Sequence, residues 1–198
     1  MRAEMKKIKA LYKKIFLLPV VKLLIKLNIT PNLITILSFI IALFAFIVYK
    51  NGVFWLGGII LFFSSILDTF DGEIARQTNR VTKFGGFLDS TLDRVNEFLI
   101  YLGLFVYYYH RMDYVLYWIL FALFGSLMVS YTRARGEGVG ISPQVGLFER
   151  FVRLLFLIIG SFLGPKIMVY VLIIIAAGTF ITALQRIFYL LNNSKSVD

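Results

Sequence analysis

Residues 65–94 read SILDTFDGEIARQTNRVTKFGGFLDSTLDR, and four aspartates in this stretch decide the fold. Asp68 and Asp71 are three apart, Asp89 and Asp93 four apart. Each spacing puts two side chains on one face of a helix, one turn above the other. Apolar runs flank both pairs: GGIILFFSSIL (57–67) leads into the first and FLIYLGLFVYYY (98–109) follows the second. The acids therefore belong to hydrophobic, membrane-embedded helices, where an ionisable side chain is costly and normally marks a site. The polar run QTNRVTK (77–83) reads as a turn between two antiparallel helices, which brings four carboxylates to one locus near the membrane surface. Such a cluster cannot stay fully ionised without cations. Oxygen-only ligands in a chain without cysteine point to a hard divalent ion, Mg²⁺ or a similar ion such as Mn²⁺. Helix-end salt bridges to Arg76, Arg80 and Arg94 would account for one acid pair. Two pairs, with Gly72, Ala75, Gly85 and Gly86 between them, imply close approach of two backbones and a ligand.

The composition sets the solvent. Of 198 residues, 59% are hydrophobic and only 16% charged, too little polar surface for a soluble domain of this size. Repeated apolar runs of about twenty residues predict an all-α, polytopic integral membrane protein. The absence of cysteine excludes disulfides, thiolate chemistry and zinc–sulfur sites. His110, the single histidine, stands beside Arg111 at the end of an apolar run and reads as interfacial. The net charge of +10 is spread over helix ends and loops, so anionic lipid headgroups are the expected partner and nucleic acid is not. No cleavable signal peptide and no fused soluble domain are expected.

Residues 1–28 interleave Lys6, Lys7, Lys9, Lys13, Lys14, Lys22 and Lys26 with Ile8, Leu11, Ile15 and Val21, predicting an amphipathic helix in the interface, bent near Pro19. Thr30, as N-cap, and Pro31, in the first turn, then open a membrane domain over 29–191, followed by a short polar tail at 192–198. Six transmembrane helices are expected at 31–50, 54–76, 84–109, 113–134, 147–163 and 166–190. With both termini on one side, that side carries Arg76, Arg80, Lys83, Arg94, Arg133, Arg135, Arg150, Arg153, Arg186 and Lys195, and the other only Lys50, Arg111 and Lys166. The termini and the acid cluster are thus expected to face the cytoplasm from the cell membrane. Tyr107, Tyr108, Tyr109, Tyr114, Tyr117 and Trp118 form the expected aromatic belt at the opposite interface.

A second polar constellation is expected on the face of the carboxylates. YTRARGE (131–137) ends the fourth span, Glu149, Arg150 and Arg153 begin the fifth, and Arg186 lies near the end of the sixth. Any single arginine here reads as a snorkelling helix-end residue. Several converging across the glycine-rich loop GEGVGISPQVG (136–146) make a phosphate pocket, because the planar guanidinium fork suits phosphate oxygens.

Asp68-x-x-Asp71-Gly72-x-x-Ala75-Arg76, eight residues, then Gly85-x-x-x-Asp89-x-x-x-Asp93 resembles the signature of the CDP-alcohol phosphotransferases at every fixed position. Beyond it, SYTRARGEG (130–138) resembles the SYxKARAE segment of the phosphatidylinositol phosphate synthases and archaetidyl relatives within that family. GLFERFVRL (146–154) resembles their GxxERPERL segment, and LQRIFYL (184–190) their late QR segment. Arg133 replaces the usual lysine and Phe151 the proline of ERPER, and charge survives both changes.

The resemblance implies transfer of a phosphatidyl or archaetidyl group from a CDP-linked lipid to the hydroxyl of inositol phosphate, with release of CMP. It implies that Asp68, Asp71 and Asp89 hold the metal, and that Asp93 is the general base and a further ligand. Arg76 would bind a donor phosphate, and Gly72 and Ala75 would leave room for the cytidine. Thr30, Pro31 and Asn32 would border the nucleotide, although helix capping explains them equally. Arg133, Arg153 and Arg186 would hold the acceptor phosphate. The resemblance also implies a homodimer, to which Gly103, Gly125, Ser126 and Ser130 would offer close helix contacts. Glycerol 3-phosphate is the alternative acceptor. A divalent-cation transporter is the alternative of another class, but its path would need polar residues in the outer halves of the spans, where almost none occur.

Overall fold

A computed structural model describes residues 17–194, and the basic segment before Leu17 and the tail after Ser194 lie outside the described residues. Seven helices are described: α1 (Leu18–Lys26), α2 (Pro31–Lys50), α3 (Phe54–Gln77), α4 (Lys83–Tyr108), α5 (Asp113–Gly138), α6 (Arg150–Leu163) and α7 (Pro165–Ser194). Among the described residues there is no strand. Of the amphipathic helix expected over 1–28, α1 is the described part, and Pro19 lies in its first turn. The chain leaves α1 through Asn28, at φ +56°, a left-handed position asparagine tolerates. Thr30 then caps α2 by accepting the Leu33 N–H at 3.4 Å.

Local chemistry sets the turn joining the aspartate helices. Asn79 is left-handed (φ +52°), and the Arg80 N–H returns to the Ala75 carbonyl at 2.9 Å, closing the end of α3. Thr82 caps α4, its hydroxyl accepting the Gly85 N–H at 3.0 Å.

Among the described residues four helices, α2, α3, α5 and α7, are long and apolar enough to cross a membrane by length and composition, against six expected. The fourteen-residue α6 rises only about 21 Å, short of a hydrocarbon core of about 30 Å. The first turns of α4 carry Lys83, Asp89, Asp93 and Arg94, which dilute its apolar length. The helix α5 runs to Gly138, beyond the expected 134, with Arg133 and Glu137 paired four apart in its last turns.

The described chain forms two compact units, residues up to Ile41 with Phe63–Val95, and Ala42–Phe62 with the residues from Asn96 onward. The first has a small core of Leu17, Val21, Ile34, Phe70 and Ile74, which packs α1, α2 and α3 together. The second is larger, and its main helix pairings are α5 with α7 and α6 with α7. Small residues make the contact between α5 and α7 close: a Cβ on Gly125 would fall 2.1 Å from Thr179 Oγ1. Gly103 packs against the Phe46 backbone, and Ser126 lies 3.4 Å from the Tyr101 hydroxyl. These three residues are therefore occupied within the chain, and the helix contacts they were expected to offer a second copy are not available. The aromatic belt also needs correction. Tyr109, Tyr114 and Tyr117 are exposed, whereas Tyr108 is fully buried and donates to the Pro165 carbonyl at 2.5 Å. His110, interfacial by sequence, sits in a left-handed turn with its ring 3.8 Å from that of Tyr109.

Candidate functional site

In the first unit, α3 presents Asp68 and Asp71 on one face and α4 presents Asp89. One carboxylate oxygen from each lies within 4.8 Å of the others. Oxygens opposite one another on a Mg²⁺ are about 4.2 Å apart, so sub-ångström closure gives three ligands of the right hardness and charge. The donor set therefore fits a divalent ion. Asp93 is not a member of this trio. It lies one helical turn beyond Asp89, a rise of about 6 Å, and its Oδ2 is 3.9 Å from Arg94 Nη1.

Two of the trio, Asp71 and Asp89, line a cavity of about 300 Å³, together with Pro31 and Asn32 from α2, Gly72, Ala75 and Arg76 from α3, and Gly85 and Gly86 from α4; Asp68 is not in that lining. Thr30 caps the helix and is not in that lining, while its two neighbours are. The glycines have identifiable tasks. A Cβ on Gly72 would come 3.4 Å from Arg76 Nη1, an ordinary contact, so the guanidinium lies directly over this glycine. At Gly85 a Cβ would press on the Thr82 cap at 2.9 Å, and at Gly86 it would meet nothing, leaving that wall open.

Two residues here lay outside the sequence expectations. Glu73 is buried and accepts from Arg76 Nη2 at 2.9 Å and Nε at 3.2 Å, which fixes the guanidinium plane. The pairing at i,i+3 was a readable signal. Thr35, also buried, donates its hydroxyl to Asp71 Oδ2 at 3.0 Å and lines the same cavity. Nothing local marks it, since its partner lies 36 residues away.

The second unit holds the arginines. Arg133 is exposed and pairs with Glu137 at 3.0 Å. Arg153 is 1% exposed, and its Nε and Nη2 meet the two oxygens of Glu97 at 2.7 and 2.8 Å, a fork-to-fork pair. Arg186 is 2% exposed; it donates to the Val145 and Val129 carbonyls at 3.0 and 2.6 Å and to Glu149 at 3.1 Å. The segment before α6 is stapled in place: Arg153 Nη1 donates to the Phe148 carbonyl at 2.9 Å, and the Phe148 N–H donates to Thr182 at 3.1 Å. Burial of the two arginines departs from an open pocket. Their charge is balanced by Glu97 and by Glu149; Glu149 belongs to the constellation expected from the sequence, and Glu97 does not. An acid beside a long apolar run, as Glu97 is, was itself the clue that a buried cation must exist elsewhere.

The CDP-alcohol phosphatidyltransferase family profile matches residues 28–192. An archaetidylinositol phosphate synthase from Pyrococcus horikoshii is 40% identical over 169 residues, 84% of this chain and 86% of that protein. A phosphatidylinositol phosphate synthase from Streptomyces avermitilis is 35% identical over 196 residues, 92% of this chain and 80% of its own length. The crystal structure of Mycobacterium tuberculosis phosphatidylinositol phosphate synthase with CDP-DAG bound has a TM-score of 0.81 at 26% identity, covering 88% of this chain and 93% of that one. A structure of the same enzyme with manganese and citrate also gives 0.81, covering 87% and 88%. The match spans the aspartate trio, the cavity beside it and the buried arginines alike, so the chain belongs to the CDP-alcohol phosphatidyltransferase family.

Proposed function

We propose that this protein transfers a phosphatidyl or archaetidyl group from a CDP-linked lipid to the hydroxyl of inositol phosphate, releasing CMP. The observation that carries the proposal is the carboxylate trio, two of whose members, Asp71 and Asp89, line a cavity that Arg76 also lines. Asp68, Asp71 and Asp89 hold a divalent ion, Mg²⁺ or Mn²⁺. When bound, that ion neutralises pyrophosphate charge and makes CMP a better leaving group. Arg76, kept in plane by Glu73, binds a donor phosphate, and Gly72 and Ala75 leave room for the cytidine, with Thr30, Pro31 and Asn32 at its border. Asp93, placed outside the trio, takes the proton of the attacking hydroxyl and is free of competition from the first ion for that role. A second ion would find its ligand there. Arg133, Arg153 and Arg186 hold the acceptor phosphate, which distinguishes inositol phosphate from an uncharged acceptor.

The same reading has six membrane-crossing helices preceded by an interfacial helix, in the cell membrane, with the site and both termini at the cytoplasmic face. Lipid tails then stay in the bilayer while both polar substrates arrive from water. It also has a homodimer, formed by helix faces other than those of Gly103, Gly125 and Ser126. In lipid discs the protein mass should be about twice 22.7 kDa, and a fully active monomer would remove the dimer from this account.

The decisive assay supplies purified protein with CDP-lipid and a panel of labelled acceptors. CMP release with inositol phosphate should exceed that with serine or free inositol, which lack the phosphate, by at least about tenfold, the equivalent of one charge-assisted contact. It should also exceed that with glycerol 3-phosphate, which keeps the phosphate and lacks the inositol ring. Equal use of glycerol 3-phosphate would assign the phosphatidylglycerophosphate reaction instead. Equal use of free inositol would remove the arginine assignment and leave the aspartate chemistry standing.

A further inference from the structure

Asp71 is the buried member of the carboxylate trio, 5% exposed, and both of its oxygens are already engaged by the protein. Oδ1 accepts the N–H of Gly72 at 2.5 Å, and Oδ2 accepts the hydroxyl of Thr35 at 3.0 Å. Thr35 is equally buried at 5% and stands on α2, a helix that contributes none of the three acids. Its hydroxyl has an alternative acceptor, the Pro31 carbonyl one turn back at 3.2 Å. A hydroxyl has one proton, and an ionised carboxylate is the stronger acceptor, so the proton goes to Asp71.

A carboxylate offers about four lone-pair directions. With one on each oxygen fixed from outside the cluster, the plane of the Asp71 carboxylate is set before any ion arrives. A flexible aspartate would have to be ordered at the moment of binding, against its own rotational freedom. We infer that Thr35 is a positioning residue of the divalent-ion site: its hydroxyl sets the carboxylate plane of Asp71 so that the remaining lone pairs serve the ion shared with Asp68 and Asp89. The inference rests on the trio being the ion site. It gives α2 a role in the chemistry that helix capping by Thr30 does not supply. Because Thr35 also lines the cavity beside Pro31 and Asn32, one hydroxyl touches both the cavity and the ion ligand.

The test is Mn²⁺ binding to the purified full chain in lipid discs, without donor or acceptor, read from the electron-spin signal of free Mn²⁺. Thr35→Val keeps the side-chain shape and removes the donor, and should weaken binding about 10- to 100-fold, the usual effect of losing a partner behind a metal ligand. Thr35→Ser keeps the donor and should stay within about threefold of the natural protein. Thr35→Ala carries the same expectation as valine, should valine not fold. Thermal unfolding in chelator should be alike for the natural protein and Thr35→Val, while the rise on adding Mn²⁺ should be smaller in the variant. Unchanged Mn²⁺ binding in Thr35→Val, or serine as weak as valine, overturns the positioning role and leaves the trio intact. Failure of the underlying site has a different signature: Asp71→Asn would then bind Mn²⁺ as the natural protein does.

Discussion

Asp71→Asn should abolish both Mn²⁺ binding and CMP release, with a fall in turnover of about a thousandfold or more. The amide keeps the size of the side chain; its single oxygen can accept the Gly72 N–H, and the Thr35 hydroxyl can turn to the Pro31 carbonyl while accepting from the new NH2, so the main change is the loss of charge. Two carboxylates remain where three met within 4.8 Å. The charge stabilisation a bound divalent ion supplies is worth several kcal/mol, which translates into that rate loss. Excess chelator should do the same to the natural protein, and chelator-resistant CMP release would remove the ion from the chemistry altogether. Asp93→Asn separates the roles of the four acids. Loss of a general base costs about 10²–10⁴ in rate, yet Mn²⁺ binding and donor binding should persist, because Asp93 stands a helical turn outside the trio. If Asn at 93 releases Mn²⁺ as fully as Asn at 71, Asp93 is chiefly a ligand and the base must be sought elsewhere.

The second large effect concerns Arg153, whose partner Glu97 is 5% exposed. Removing the arginine alone leaves a buried carboxylate without counter-charge, a loss of about 3–5 kcal/mol of stability. Arg153→Ala should therefore lower the unfolding temperature in detergent sharply, whatever Arg153 does for substrates. Replacing both partners, as Glu97→Leu with Arg153→Met, should recover most of the lost stability, since apolar residues of similar volume often replace a buried pair at little cost. Activity of the recovered double variant then reads the binding role cleanly. The Michaelis constant for inositol phosphate should rise about tenfold to a hundredfold, the worth of one charge-assisted contact of about 1.5–3 kcal/mol, with that for the CDP-lipid unmoved. A stable double variant with natural acceptor kinetics would make Arg153 a structural residue. The acceptor phosphate would then have to be bound by Arg133 and Arg186 without it. Arg133→Lys, by contrast, changes an exposed side chain paired with Glu137, and should retain most activity.

The amino-acid sequence by itself determined whatever depends on near neighbours along the chain. Apolar runs and the TPN and TNRVT segments place the helices and their turns, because helix capping and left-handed asparagine are local chemistry. Asp68 and Asp71 share a face because a helix brings residues three apart together, and the length of the aspartate motif carries the family. Membership of the trio was decided only by tertiary structure. Asp89 and Asp93 look equivalent on a helical wheel, and it is Asp89 whose carboxylate meets those of Asp68 and Asp71 within 4.8 Å, with Asp93 a rise of about 6 Å further along α4. The contact of Thr35 with Asp71 spans 36 residues and that of Arg153 with Glu97 spans 56, and no periodicity encodes a partner on another helix. Burial was hidden for the same reason. An arginine at a helix end reads as a snorkelling cation until the packing of α5, α6 and α7 encloses it, and an enclosed guanidinium needs fixed acceptors, which Val129, Val145 and Glu149 supply to Arg186.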